Sequence, residues 1–203
     1  MYRYKVMQVE MREVNMLEKV RGEINVIDEQ MKELFLKRML CAKQVARIKE
    51  KTGGDVFVPE RESLILQKRT KDIVPEFQEE YVAFLKHLMS ICRKYEYQLL
   101  PQMQKKVIDM KLKETKLEET KLESQEKTSQ VKITFTCEKE KSNLNLFLNM
   151  ITLNKIQISS INLTLENGRQ KIIMVLDSSL EETGMQCLIC QLGKEAEDFQ
   201  ILL

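Results

Sequence analysis

Residues 17–49 read LEKVRGEINVIDEQMKELFLKRMLCAKQVARIK, and their apolar positions decide the fold of the N-terminal half of the chain. These positions recur at alternating steps of three and four over more than four heptads, with no proline and a single glycine. Such spacing predicts one long helix with an apolar stripe along one face. The stripe consists of Leu17, Val20, Ile24, Ile27, Met31, Leu34, Arg38, Cys41, Val45 and Ile48.

Two cations lie on this face. Arg38 occupies a stripe position, and Lys49 follows eleven residues later, about 20° round the helix from Arg38. Cations on a buried face are costly without anionic partners. The pattern therefore predicts that either acidic side chains or an anionic ligand meets them.

The length of the helix predicts a homodimer. About 40 residues at 1.5 Å each give roughly 60 Å, whereas a domain of about 100 residues has a radius of gyration near 13 Å. A helix of that length cannot bury its whole stripe against its own short domain. We therefore expect a second copy of the chain to cover it.

Composition excludes several classes of partner. The 33 basic and 31 acidic residues give a net charge of +2, so we expect no nucleic acid partner. No apolar segment has the length of a membrane span, so we expect no membrane partner, and the N-terminus has no leader-like apolar segment. The five irregularly spaced cysteines favour reduced thiols and a cytoplasmic location. Cys187 and Cys190 form a CxxC without a second pair, which we interpret as packing, so we expect no metal and no cofactor.

The chain is predicted to contain two folded parts. Residues 1–15 form an N-terminal extension, and residues 16–103 form an all-α domain of three helices. A Gly-rich turn at 52–55 ends the first helix, and Pro59 and Pro75 begin the second and the third. Residues 104–130, with Lys-Leu repeats of period five, are predicted to be a charged, solvated linker that is partly helical.

Residues 131–203 are predicted to form an α+β domain. Apolar and polar residues alternate in 131–137, which predicts a first strand, and Ser142 is the predicted cap of the helix after it. Two further strands meet in a hairpin at Asn167-Gly168. A capping box at Ser178 and Glu181 begins a second helix, and a closing strand completes the order βαββαβ. A switch of apolar parity predicts a bulge at Ser159-Ser160. This order is ferredoxin-like, with one antiparallel sheet and two helices on one face.

Several more charged residues lie beside apolar positions. Arg21 is about 100° round the helix from Arg38, so it would serve a site in a dimer partner. Arg61-Glu62 fall in the first turn of the second helix, and Cys92 and Glu96 are spaced i, i+4 on the third. Singly, each is best interpreted as a solvated charge or a surface ion pair; the set is what points to a site.

The residues and motifs that point to a site follow one another along the chain in this order: Arg21-x-x-Ile24-x-x-Ile27-Asp28, Arg38, Lys49, Val58-Pro59-Glu60-Arg61-Glu62 and Leu88-Met89-x-x-Cys92-Arg93-x-Tyr95-Glu96. Together they resemble the all-helical (AroQ-class) chorismate mutase family over residues 16–101. The resemblance implies an intertwined dimer with two shared active sites. By position, Arg21 comes from the partner chain and binds a substrate carboxylate, as Arg38 does within the chain. Lys49 donates to the ether oxygen and a carboxylate, and Glu96 contacts the ether oxygen. The remaining expected contacts are Arg61 beside the ligand, Glu62 on the ring hydroxyl, the backbone amide of Val58, and Cys92 where serine is usual.

The implied reaction is the rearrangement of chorismate to prephenate in phenylalanine and tyrosine biosynthesis, with Lys49, Glu96 and Arg38 as catalytic residues. It needs orientation and charge stabilisation, with no nucleophile. Many bacterial members have Gln where Glu96 stands, so Glu96 must be protonated to donate, and we expect activity to fall as pH rises. Two alternatives stay open: a non-catalytic regulatory partner of a shikimate-pathway enzyme, and an isochorismate pyruvate lyase.

The C-terminal domain resembles an ACT domain by element order. The Asp-Arg-Pro-Gly type turn of many ACT domains is missing after the first strand, where Cys137-Glu-Lys-Glu-Lys-Ser142 stands. The resemblance implies phenylalanine or tyrosine as an effector of this domain. The alternative is a domain that only pairs chains.

Overall fold

A computed structural model describes residues 2–118, 129–138, 144–166 and 168–202. The chain divides into two units, Met1–Cys41 and Ala42–Leu203.

The first helix, α1 (Tyr2–Thr52), contains the predicted apolar stripe. It begins well before the predicted start, so most of the expected extension is helical. Its end is as predicted, because Gly53 adopts a φ of +74° and donates its backbone N–H to Lys49 O at 2.8 Å. In the first unit the large stripe residues are half exposed or more: Leu17, Val20, Ile24, Ile27, Met31 and Leu34. An apolar row of this length exposed to water indicates a surface that is normally covered.

Two further helices follow, each started by a proline as expected. They are α2 (Pro59–Thr70) and α3 (Gln78–Gln98), the latter preceded by a 3-10 turn at Pro75–Phe77. The apolar residues of α3 are only partly buried, since Phe84 is 45% exposed. The buried face instead contains Leu85, Met89, Ser90, Cys92, Arg93, Glu96 and Tyr97. Two charged side chains therefore lie on the packed face of α3.

Part of the predicted linker is a packed helix. In α4 (Pro101–Glu118), Gln104, Val107 and Thr115 are buried, and Thr115 Oγ1 donates to Ile201 O at 2.7 Å. The predicted helical character of this segment is confirmed, but its predicted solvation was wrong for the face that carries Gln104, Val107 and Thr115. The period-five repeat begins only at Lys111, while helical spacing continues upstream of it. Residues 119–128 of the predicted linker lie outside the described residues.

The C-terminal part confirms the order βαββαβ. Its elements are β1 (Val131–Glu138), α5 (Leu144–Leu153), β2 (Gln157–Glu166), β3 (Arg169–Asp177), α6 (Thr183–Glu195) and β4 (Glu197–Leu202). The strands pair antiparallel in the order β2-β3-β1-β4. A register shift between Ile158 and Ser160 confirms the bulge. Gly168 has a φ of +78° in the hairpin, while Asn167 and Ser142 lie outside the described residues.

The predicted capping box of α6 does not form, since Glu182 is the N-cap residue and makes no side-chain capping hydrogen bond. Ser178 is buried at the end of β3, with its backbone N–H bonded to Leu176 O at 3.0 Å. The backbone N–H of Ser179 donates instead to Glu182 Oε1 at 3.1 Å, and the helix begins at Thr183. The Ser178 and Glu181 prediction was wrong because Ser178 still belongs to the packed end of the strand.

One face of the sheet holds the main core. Ile133 and Phe135 of β1 and Ile172 of β3 pack against α5 and α6, with Phe135 meeting Phe147 edge to face at 4.8 Å. Each fully buried side chain of this size contributes about 1.5–3 kcal/mol. This core fixes α6, whose outer side faces α3 and α4 through the cluster Val56, Tyr97, Leu100, Val107, Cys187 and Cys190.

Candidate active site

An ion pair links the last turn of α1 to the packed face of α3. Lys49 Nζ donates to Glu96 Oε2 at 2.9 Å, and the two side chains are 16% and 9% exposed. The pair joins residues 47 positions apart in the chain. Because water is largely excluded, this contact is stronger than an exposed pair would be.

The loop after α1 supplies a second acceptor to the same lysine. The turn at Gly53 reverses the chain, and Lys49 Nζ also donates to Val56 O at 3.1 Å. An ammonium has three donors, and two of those of Lys49 are engaged here. The residue before α2 is Val58, which has no side-chain cap.

A buried arginine lies three residues before Glu96. Arg93 Nη1 donates to Glu62 of α2, and Arg93 Nε donates to Glu195 Oε1 of α6 at 2.9 Å. The guanidinium also lies over the Phe57 ring, 5.0 Å from its centroid. Burial opposes the charge of Arg93, but Glu195 and Glu62 outweigh it and raise the pKa of Arg93, which stays a cation.

The structure thus brings Lys49, Glu96 and Glu62 into one region of the second unit. Val58 is 38% exposed, Arg61 is exposed, and Cys92 is buried.

Arg21 and Arg38 belong to the first unit. There Arg21 is exposed and pairs with Glu18 at 2.7 Å, while Arg38 is partly buried.

Sequence reasoning assigned no role to Arg93 and did not single out Glu195. Arg93 is spaced i, i+4 from both Met89 and Tyr97 on α3. Glu195 continues the buried series Leu188, Gln191 and Leu192 on α6 at steps of three and four. The reasoning that singled out Arg38, a charge in an apolar series, would have found both.

The two cysteines of the CxxC lie behind the site. Burial raises the pKa of Cys187 to about 11 and that of Cys190 to about 12, so both are neutral thiols near pH 7. They pack against Val56 and Tyr97. In the part of the chain that the structure describes, no group of three or more His, Cys, Asp or Glu side chains could hold a metal ion.

The geometry defines a helical domain with a water-excluded cation and carboxylate pair, able to bind a polar ligand through fixed charges. Residues 20–97 match the family model described as "Chorismate mutase type II". A protein described as "T-protein" from Haemophilus influenzae is 38% identical over 53 residues, which are 26% of this chain and 14% of that protein. This chain therefore spans only a small share of that relative. None of the helices that the structure describes combines the length and apolarity needed to cross a bilayer.

Proposed function

We propose that the chain is a chorismate mutase that converts chorismate to prephenate. The observation that carries the proposal is the contact between Lys49 and Glu96 at 2.9 Å. These are the two side chains that the family resemblance assigns to the ether oxygen of the substrate, and they converge from helices far apart in sequence. The matched family segment, residues 20–97, contains both.

The reaction breaks one carbon–oxygen bond and forms one carbon–carbon bond within a single molecule, with no proton gained or lost. Chorismate is a dianion, so Arg38, Lys49 and a partner's copy of Arg21 would neutralise its carboxylates. Holding the enolpyruvyl arm over the ring removes much of the entropic barrier. Donors placed at the ether oxygen then stabilise the charge that grows as the bond breaks.

We propose that the site is completed by a homodimer. The exposed apolar stripe of α1 supports this, since Ile24, Ile27 and Met31 are each about half exposed in the single chain. Pairing the stripes would cover them and would bring Arg21 of one chain to the site of the other.

The role of Glu96 requires a proton. A carboxylate facing the ether oxygen would repel the developing charge, whereas a protonated Glu96 donates to it. In the structure Lys49 faces this carboxylate. Substrate binding would draw Lys49 toward the dianion and leave Glu96 free to take up a proton.

The first test measures chorismate consumption by its ultraviolet absorbance, with prephenate identified as the product. Lys49→Gln and Arg38→Ala are each expected to reduce kcat/KM by about 10²–10³-fold, the usual loss when one charge-stabilising donor is removed. Lys51→Gln is the matched control, because Lys51 lies in the same last turn of α1 and is exposed. Equal activity of Lys49→Gln and Lys51→Gln would refute the assigned role of Lys49.

The second test is the pH–rate profile. Wild-type activity is expected to fall as pH rises, while Glu96→Gln, which donates at every pH, is expected to give a flat profile. A flat wild-type profile from mildly acidic to alkaline pH rules out the protonated Glu96.

The reaction products distinguish the proposed mutase from the two alternative functions. Release of pyruvate from isochorismate would identify a lyase, and failure to consume either substrate would favour a regulatory partner of a shikimate-pathway enzyme.

We further propose that the sheet domain is ACT-like and binds phenylalanine or tyrosine. The element order and the four-stranded antiparallel sheet support this. Calorimetric titration of each amino acid into the full chain should give heat with one of them. No heat with either removes the proposal and leaves a domain that pairs chains.

A further inference from the structure

The guanidinium of Arg93 is held by carboxylates from two different parts of the fold. Glu62 comes from α2 of the helical domain, and Glu195 comes from the last turn of α6, which belongs to the sheet domain. The side chains of Arg93 and Glu195 are 4% and 2% exposed, and that of Glu62 is 23% exposed. Glu62 is thus the one member of the three that water or a ligand reaches.

The contacts fix the orientation of the guanidinium. Glu195 meets one edge of it, with Oε1 accepting from Nε at 2.9 Å and Oε2 lying 2.9 Å from Nη2. The Phe57 ring covers one face. With Glu195 along one edge of the planar guanidinium and Phe57 over one face, Nη1 has a single direction left in which to donate. Glu62 accepts in that direction.

Such an arrangement is a poor way to gain stability. Two buried carboxylates share one cation, and an apolar replacement of a buried ion cluster is often neutral or stabilising. The arrangement does provide a fixed direction for the Glu62 carboxylate.

The same helix supports the other side of the site. Cys187 and Cys190 of α6 pack against Val56, whose carbonyl oxygen accepts from Lys49 Nζ at 3.1 Å. Lys194 of α6 reaches the same loop at Asp55, 2.6 Å away. Helix α6 therefore contacts the elements that place both Lys49 and Glu62.

We propose that Glu195 is a positioning residue for the substrate site: through Arg93 it aims the Glu62 carboxylate at the ring hydroxyl of the substrate. This inference rests on the proposed function for the role of Glu62. It assigns the sheet domain a part in building the site, independent of any effector.

The test uses the full chain with Glu195→Gln, Glu62→Gln and the double variant. Because Glu62 binds a group that does not react, Glu195→Gln is expected to raise KM about 10-fold with kcat changed less than twofold. The double variant should lose no more kcat/KM than Glu62→Gln alone, because Glu195 acts through Glu62. Glu197→Gln is the matched control: it removes an exposed carboxylate two residues further along the chain that pairs with Arg169, and its kinetics should stay within twofold of wild type.

Two outcomes overturn the proposal: losses that multiply in the double variant, or equal kinetics for Glu195→Gln and Glu197→Gln. The same variants are also compared by denaturant unfolding, which needs no turnover. If wild type leaves chorismate unchanged, the proposed function fails, and the link is then judged by unfolding alone. Non-additive shifts of the unfolding midpoint for Glu62→Gln and Glu195→Gln support the link, and additive shifts refute it.

Discussion

At the scale of single residues, the site depends on charges whose surroundings differ. Lys49 and Glu96 form a one-to-one pair with a further acceptor at Val56 O. Arg93 instead serves two carboxylates, Glu62 and Glu195. The second arrangement leaves a net negative charge in a buried place, and the carboxylate with less exposure bears most of the cost.

Glu195 is the residue where this cost is measurable. Burial raises the pKa of Glu195, Arg93 offsets this only in part, and the Glu62 carboxylate adds to the rise. The folded state therefore binds a proton more tightly than the unfolded chain, in which glutamate titrates near about 4.3. Stability must then fall as pH rises from that value through the raised pKa.

We expect the unfolding free energy of wild type, minus that of Glu195→Gln, to fall as pH is raised from about 4 to 7, because only the wild type has this titrating group. Chemical denaturation at a series of pH values measures it. Glu197→Gln is the control, since Glu197 is an exposed neighbour paired with Arg169, and its difference should vary little. A difference that grows with pH would show instead that Arg93 lowers the pKa of Glu195 below its value in the unfolded chain.

At the scale of elements, the contact between α4 and α6 decides where the sheet domain sits against α3. Gly193 allows α4 to approach closely, because a Cβ there would lie 2.8 Å from Val107 Cγ1. Gly22 of α1 is also inside a helix, but a Cβ there would meet nothing within 4 Å. The two glycines thus have different reasons to be present.

Gly193→Ala is expected to destabilise the chain by about 1–3 kcal/mol, since overpacking outweighs the gain in helix propensity. Gly22→Ala should stabilise it by about 0.5–1 kcal/mol. Thermal or denaturant unfolding measures both. Val107→Ala introduced into Gly193→Ala makes room for the new methyl, so it should cost less there than in the wild-type background. Equal effects of the two glycine substitutions would contradict the close approach.

At the scale of the whole molecule, the exposed stripe of α1 requires a cover. The exposed fractions of Ile27 and Met31 are 53% and 48%, and the stripe continues through most of the helix. A second copy would bury it and supply Arg21 to each site. Assembly and activity would then be linked.

Ile27→Asp should therefore separate the proposed homodimer into monomers and abolish the proposed activity, because a carboxylate in the paired stripe costs several kcal/mol. Several kcal/mol correspond to a dimer Kd raised by at least about 100-fold. Light scattering gives the mass, and the chorismate assay gives the activity. Gln30→Asp, an exposed position outside the stripe, is the control and should change neither. A monomeric wild type with full activity would rule out shared sites.

The local sequence is sufficient to predict most of the helices and strands and the segment that resembles a known family. Apolar spacing predicts α1, Gly53 and the prolines at 59 and 75 mark the breaks, and alternation with a parity switch predicts the strands and the bulge of β2. These features depend on neighbours within a few residues, so the sequence alone determines them. The roles of Lys49 and Glu96 are predicted from the resemblance that their motif positions carry, and they stay predictions.

Only the tertiary structure decided which charges meet. Arg93 and Glu195 are 102 positions apart, and the sequence around each residue does not indicate that the other is its partner. The burial of α4 likewise depends on α6 and β4, which a period-five repeat does not reveal. Contacts of this kind form because burial of apolar surface assembles the elements, and buried charges must then find partners among whatever side chains arrive there.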